Sequence, residues 1–332
     1  MKRLLTRIGL WLAATLVLTL AVGTVVQWAL SQHTLSNAVA PGRLIDVGGH
    51  GLHLVCEGAG NPAVILEAGL PGSSLTWASV TGGIAEFARV CAYDRAGYAW
   101  SETAVPPRTA GNIVGELRLL LRNAAIDPPY VLVGHSFGGL IVQLYAARFV
   151  DEVAGMVLVD SSHPDRLSQT KSLETANAFG RTVGFLAPTG VPRLLFPVPA
   201  GSPESRNESV LVAENRVMKT TRSLRTVATE VAGLRESFRE AAAEPADLGR
   251  RPLIVLTEGR RRAESWYEMQ EELAGLSETS DWQIAENAGH YVQHDRPELV
   301  VEAIRRVVEQ VRSEARPGIL RETSEPTAGK TG

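Results

Sequence analysis

The sequence predicts an α/β protein: a mostly parallel eight-stranded sheet flanked by helices, with a helical insertion and a separate apolar helix at the N-terminus. Three observations carry this. Strand and helix signals alternate from about residue 43, the pattern of a sheet whose crossovers are helices. The run Val131-Leu-Val-Gly-His-Ser-Phe-Gly-Gly139 takes an apolar strand straight into Gly134-x-Ser136-x-Gly138, and a helix-like stretch follows over Leu140 to Arg148. Between Asp160 and Pro252 lie about ninety residues without strand alternation, too many for a loop and so a helical insertion, spanning roughly 163–250.

Taken in order, Arg43–Val47 and Gly51–Cys56 flank a glycine-rich turn and read as an antiparallel hairpin. Ala63–Glu67 is a buried strand ending at Ala68-Gly-Leu-Pro-Gly72, and Arg89–Tyr93 is the next, leading into Asp94-Arg-Ala-Gly-Tyr98. A helix over roughly 109–125 precedes the strand Tyr130–Val133. After the helix behind Ser136 come the strands Gly155–Asp160, Pro252–Thr257 and Trp282–Ala285. A final amphipathic helix starts near Pro297, a favourable first-turn residue.

The 332 residues suffice for one large domain with an insertion, and 45% hydrophobic with 21% charged residues is ordinary for a globular chain. A net charge of −3, with no basic stripe beyond the N-terminus, gives no reason to expect nucleic acid as a partner. Residues 8–30 carry no charged side chain, and as a helix they span about 34 Å, enough to cross a bilayer. Lys2, Arg3 and Arg7 precede this segment and the next charge is Arg43, so residues 1–7 are expected in the cytoplasm and everything after about residue 31 outside. A cleaved signal peptide is the alternative, but its apolar core is shorter and the Ala38-Val-Ala40 signal is followed by Pro41. Residues 31–42 read as a linker, 43–312 as the domain and 313–332 as a disordered polar tail.

A serine at a strand-to-helix corner is lifted out of the sheet on a strained turn, and a Cβ at either flanking glycine would collide with the neighbouring strand or helix. The five-residue pattern is weak alone; its setting gives it meaning. With Ala68-Gly-Leu-Pro-Gly72, Asp94-Arg-Ala-Gly-Tyr-Ala-Trp-Ser101 and Gly289-His290 in the same order, the chain resembles the α/β-hydrolase fold superfamily over roughly residues 43–311. One departure is Ala99, where the family more often has glycine.

The resemblance implies a Ser-His-acid triad in chain order, with Ser136 as nucleophile and His290, in Asn287-Ala-Gly-His290, as base. The family's usual slot for the acid, after the seventh strand, holds arginine in Glu258-Gly-Arg-Arg-Arg262. Asp160, at the end of the sixth strand, is therefore the expected acid, with Glu258 as the alternative and Glu264 behind it. The backbone amides of Leu70 and Phe137 are the expected oxyanion hole. His135 is expected to shape the wall of the site, and Trp77 and Trp100 to pack or line it. Asp94 and Arg95 are expected to pair and fix their loop, His50 and His53 to lie at the surface, and His294 to be partly exposed. A metal held by His290, His294 and Asp295 lacks a third well-placed ligand, and no cofactor is implied.

Cys56 and Cys91 fall on strands that neighbour each other in the family's sheet, so the resemblance implies a disulfide if the domain meets an oxidising compartment. The expected activity is cleavage of a carboxylic ester through an acyl-serine, on a small-molecule or lipid-like substrate. Amidase, peptidase or thioesterase action on the same fold, and a non-catalytic membrane-tethered binding protein, are the alternatives. Serine at the elbow argues against haloalkane dehalogenase or epoxide hydrolase chemistry, which uses aspartate there. The apolar run from Phe185 to Val198 is either a lid that meets the bilayer or packing over the sheet.

Overall fold

The computed structural model describes residues 2–165, 170–195, 208–260 and 263–315. Helix α1 (Lys2–Asn37) leads into the hairpin β1 (Arg43–Asp46) and β2 (Gly51–Glu57), then β3 (Ala63–Glu67), α2 (Thr81–Ala85) and β4 (Val90–Tyr93). Helix α3 (Ala110–Asn123), β5 (Tyr130–His135), α4 (Phe137–Arg148) and β6 (Val153–Val159) follow. The insertion, or cap, contains α5 (Thr170–Leu186), α6 (Val191–Leu195), α7 (Glu208–Met218) and α8 (Thr221–Ala243). The chain returns through β7 (Leu253–Glu258), α9 (Glu264–Ala274), β8 (Ser280–Ala285), α10 (Val292–Asp295) and α11 (Pro297–Glu314).

The eight strands form one sheet in the order β1-β2-β4-β3-β5-β6-β7-β8. Only β2 runs antiparallel to its neighbours, β1 and β4; every pair from β4 to β8 is parallel. The chain moves outward from β3 to β4 and then crosses back to β5 on the other side of β3. Loops after β3 and β5 therefore sit side by side at a switch point, where open α/β sheets place their ligands.

Alternation along β5 explains why every residue of it is buried. Tyr130 and Leu132 pack with Ile113 and Leu117 of α3 and Leu144 of α4, while Val131 and Val133 face Ile84 of α2 and Ile304 and Val307 of α11. Helix α3 begins at Thr109, whose side chain accepts the amide of Asn112. Helix α11 begins at Pro297 and buries Val300, Ala303, Ile304, Val307 and Val308, a single 3.6-period stripe.

The N-terminal segment departs from expectation. Helix α1 continues to Asn37, so most of the segment expected to be a linker is helical, and its last turns dock on the cap. Gln27, Ser31 and Thr34 are buried there: Gln27 Nε2 donates to Lys219 O (3.0 Å), Arg193 Nε donates to Gln27 Oε1 (2.8 Å), and the Thr221 amide donates to Ser31 Oγ (3.2 Å). A polar stripe of Gln, Ser and Thr continuing the helix is what allows this docking. Before it, residues 2–19 are exposed on all sides, and α1 is long and apolar enough to cross a membrane. Most of the expected tail, 316–332, and the 196–198 end of the apolar run lie outside the described residues.

Cys56 of β2 lies opposite Cys91 of β4, and the two are joined by a disulfide. The link spans an antiparallel pair at the junction with the parallel sheet. Intact mass is expected to rise by two hydrogens on reduction, and replacing both cysteines with serine to lower stability by about 2–4 kcal/mol. Alkylation of both thiols in unreduced, denatured protein would contradict the bridge.

Candidate active site

β5 ends at His135, and Ser136 turns the chain into α4 with φ 54° and ψ −121°. The flanking glycines are required by space. A Cβ on Gly134 would lie 2.6 Å from the Gly139 Cα, and one on Gly138 would lie 2.4 Å from the Glu67 carbonyl oxygen. Gly69 is equally confined, since a Cβ there would stand 3.1 Å from the Ser136 Cβ and 2.9 Å from His135 Nδ1. The loop after β3, carrying Leu70, is thus pressed against the turn that carries Ser136 and Phe137.

Three side chains from three strand ends meet here. His290, between β8 and α10, lies with Nε2 3.0 Å from Ser136 Oγ and Nδ1 2.6 Å from Asp160 Oδ2. Asp160 is fully buried just after β6, at φ 40°. Its other oxygen accepts the Trp266 indole N–H (2.9 Å) and the Glu258 amide (3.2 Å). Glu258, the alternative acid, is therefore a neighbour of Asp160 through its backbone, and the carboxylate facing His290 is that of Asp160. Donors on one oxygen leave the other aimed at the imidazole, which fixes Nδ1 as the protonated nitrogen and leaves Nε2 as the acceptor towards Ser136. Ser136 and His290 are both partly exposed, so a substrate can reach them.

His135 does more than form a wall. Its Nε2 lies 2.8 Å from the His290 carbonyl oxygen, and its ring packs 4.7 Å from the imidazole, so the elbow positions the loop that carries His290. Trp77 meets His135 edge-on, with ring centroids 6.4 Å apart.

Asp94 and Arg95 do not pair with each other, contrary to expectation. Asp94 accepts the Ser74 amide (2.7 Å) and faces His53 Nδ1 (2.9 Å). His53 is 0% exposed and also accepts the Gly42 amide at Nε2, so it is an interior residue that ties β2 to the loop after β4. His50 is partly buried, 3.4 Å from Glu116, and neither hairpin histidine lies on the open surface as expected. His294 is buried too, stacked on Tyr291 by the short turn of α10. Of the three residues weighed as metal ligands, His290 is turned to Ser136 and Asp160, and Asp295 accepts the Gly289 amide (2.8 Å) and faces Arg260.

Arg95 points inward instead. It donates to Glu67 Oε1 (2.8 Å), to the carbonyls of Ala68 (2.6 Å) and Gly69 (2.9 Å), and to both carboxylate oxygens of Glu230 in α8 (2.9 and 3.0 Å). Tyr93 donates to Glu67, and Tyr98 to Glu230 (3.1 Å). Burial opposes the charge of Arg95, but Glu230 and Glu67 hold it protonated well above the usual range. Glu67 carries the opposite consequence: burial pushes its carboxyl up to about 7, against the pull of Arg95. Nothing in the sequence marks this cluster, because Glu230 lies in the cap, 135 positions from Arg95.

Ala99 has φ 38°, the left-handed region in which a glycine costs nothing. Its carbonyl accepts from Arg222 of α8 (2.5 Å), a second tie between this loop and the cap.

A family model described as alpha/beta hydrolase fold matches residues 62–297. The uncharacterized protein YqjL of Bacillus subtilis is 29% identical over 253 residues, covering 75% of this chain and 84% of its own. Two solved structures have similar folds. The epoxide hydrolase CorEH superposes with a TM-score of 0.64 at 22% identity, covering 81% of this chain and 98% of its own. A thermophilic esterase from Thermogutta terrifontis gives 0.61 at 22% identity, with the same 81% and 98% coverage. At such identities the likeness is one of fold.

Glu67 links the site to pH. The ordinary carboxyl titrates at 4.5 and the folded one at about 7, so between these values the folded protein holds a proton that the unfolded chain has lost. This contribution to stability is full below 4.5 and is lost as pH rises through about 7. Thermal melting across that window should show the fall in wild type and a flattened profile in Glu67→Gln; identical slopes would contradict the assignment.

Proposed function

Because the chain belongs to the α/β-hydrolase fold family, we propose that it is a serine hydrolase cleaving a carboxylic ester through an acyl-serine intermediate. One observation carries the reading: Ser136, His290 and Asp160 stand in hydrogen-bonding sequence at 3.0 and 2.6 Å, with the serine on a positive-φ turn. In this reading Ser136 Oγ attacks the ester carbonyl while His290 Nε2 takes its proton. Asp160 holds the Nδ1–H tautomer and stabilises the imidazolium. His290 then gives the proton to the leaving alcohol as the carbonyl–oxygen bond breaks. Water, deprotonated by His290 in its turn, attacks the acyl-serine and releases the acid.

The tetrahedral oxyanion is assigned to the amides of Phe137 and Leu70. Phe137 is the first residue of α4, where an unpaired N–H and the positive end of the helix dipole favour negative charge. The epoxide hydrolase of similar fold does not redirect this reading, since an elbow serine suits acyl transfer and the step requires no cofactor.

Fluorophosphonate labelling of the full chain should depend on Ser136, and Ser136→Ala should abolish both labelling and ester hydrolysis. Asp160→Asn should lower turnover by about 10⁴. Glu258→Gln keeps the amide that holds Asp160 and should leave turnover near wild type. Near-full turnover in Asp160→Asn would sink the acid assignment, and a folded wild type that never labels would favour a binding protein.

The catalytic domain is assigned to the outer face of a membrane, tethered by α1. Three cations before the apolar stretch and a disulfide in the domain agree on this orientation. The full chain should resist alkaline extraction from membranes, with the domain open to protease from outside. A soluble product beginning near residue 41 would show cleavage instead.

A further inference from the structure

The contact between α1 and the cap encloses a cavity of about 470 Å³ that the proposed chemistry does not use. Its walls come from α1 (Trp28, Leu35), from the loop after β4 (Ala104, Pro106) and from the first turns of α8 (Arg222, Arg225). The α1 wall mixes apolar residues with Ser31 and Gln32, and α8 contributes two guanidinium groups.

The arginines lie three residues apart, on one face of α8. Arg222 is half-buried, spends Nη2 on the Ala99 carbonyl and leaves a buried Nε without a hydrogen-bond partner. Burial lowers its pKa, and Asp94 and Glu102 offset this only at a distance. Arg225 is exposed and forms no ion pair among the described residues. The carboxylates nearby are engaged elsewhere: Asp94 by His53 and the Ser74 amide, Glu102 by the Gly51 amide (2.6 Å), and Glu116 by Arg108. The positive end of the 23-residue α8 adds to the field on the same side.

Position along α1 identifies the ligand. Residues 8–30, the uncharged stretch of α1, make about 34 Å of helix, enough to cross the roughly 30 Å hydrocarbon layer with Lys2, Arg3 and Arg7 left outside it. That stretch ends at Leu30, within the part of α1 that lines the cavity from Thr24 to Leu35, so the cavity lies where the apolar layer gives way to headgroups. Beside it, Phe185 at the end of α5 and Leu194 and Leu195 in α6 are largely exposed, and Thr189 between these helices touches α1 at Gly23.

We propose that this cavity binds the anionic phosphate headgroup of a membrane phospholipid, with Arg222 and Arg225 on the phosphate and the acyl chains running along α1 past Phe185, Leu194 and Leu195. The proposal rests on α1 being a membrane anchor and is independent of the ester chemistry. An exposed apolar corner and unpaired cations at one depth both match a phospholipid, whose charged and apolar parts meet at that depth.

The test uses the full chain, purified in neutral detergent and titrated with phosphatidylglycerol, with phosphatidylcholine and with inorganic phosphate alone. Phosphatidylglycerol should bind at least about tenfold more tightly than phosphatidylcholine, and Arg225→Gln and Arg222→Gln should each weaken it about tenfold. Arg225 is exposed, so its variant should melt like wild type and carries the test if Arg222→Gln does not fold. Equal binding of the two lipids, or wild-type affinity in Arg225→Gln, overturns the site. Inorganic phosphate competing as strongly as the lipid overturns the lipid assignment in favour of a free anion. Membrane retention, scored on the same variants, separates failure of this site from failure of the anchor.

Discussion

A single buried guanidinium joins the parts that the site needs. Arg95 holds the end of β3, two carbonyls of the loop carrying Leu70, and Glu230 of the cap. The cap is a long insertion, and Arg95 fastens it at the loop beside the elbow, with Arg222 on the Ala99 carbonyl and Glu240 on the Gly111 amide as further ties. A planar donor with five N–H groups matches two carboxylates and two carbonyls at once, which lysine cannot do. Two acids around one base leave a surplus negative charge, and the raised pKa of Glu67 is how the interior avoids it.

Backbone conformation shows where the fold accepts a local cost. Ser136, Asp160 and Ala99 all sit at positive φ without being glycine. Ser136 and Asp160 directly follow adjacent parallel strands, β5 and β6, and each is turned by this conformation away from the strand direction towards the gap above the sheet. Strain of this kind persists only where surrounding contacts over-determine it. Here the contacts are the Glu258 amide and the Trp266 indole on Asp160 and the close-packed glycines on either side of Ser136.

How far the sequence reveals this arrangement depends on distance along the chain. The elbow was legible because its strand, glycines and helix are contiguous, and the eight strands because each carries its own apolar run. The choice between Asp160 and Glu258 was harder. Both lie at the ends of β6 and β7, which pair in register from Met156 with Leu253 to Val159 with Leu256, so the two acids end as neighbours and only three-dimensional placement distinguishes them. His53 and Arg95 were misread for a related reason. Their partners, Asp94 and Glu230, are 41 and 135 residues away, and no local pattern announces a buried charge whose partner is remote. The far end of α1 was misread because a polar Gln, Ser and Thr stripe resembles a linker until the cap is there to receive it.

That docked helix has a mechanical meaning. A tether through a flexible linker would let the domain tumble and present any face to the bilayer. A helix locked into the cap by Gln27 and Ser31 instead transmits its orientation. If α1 crosses a bilayer, that orientation carries to α8 and, through Glu230 and Arg95, to the loop beside Ser136. The domain would then stand on the bilayer at a set attitude, with the loop beside Ser136 held in fixed relation to the lipid surface.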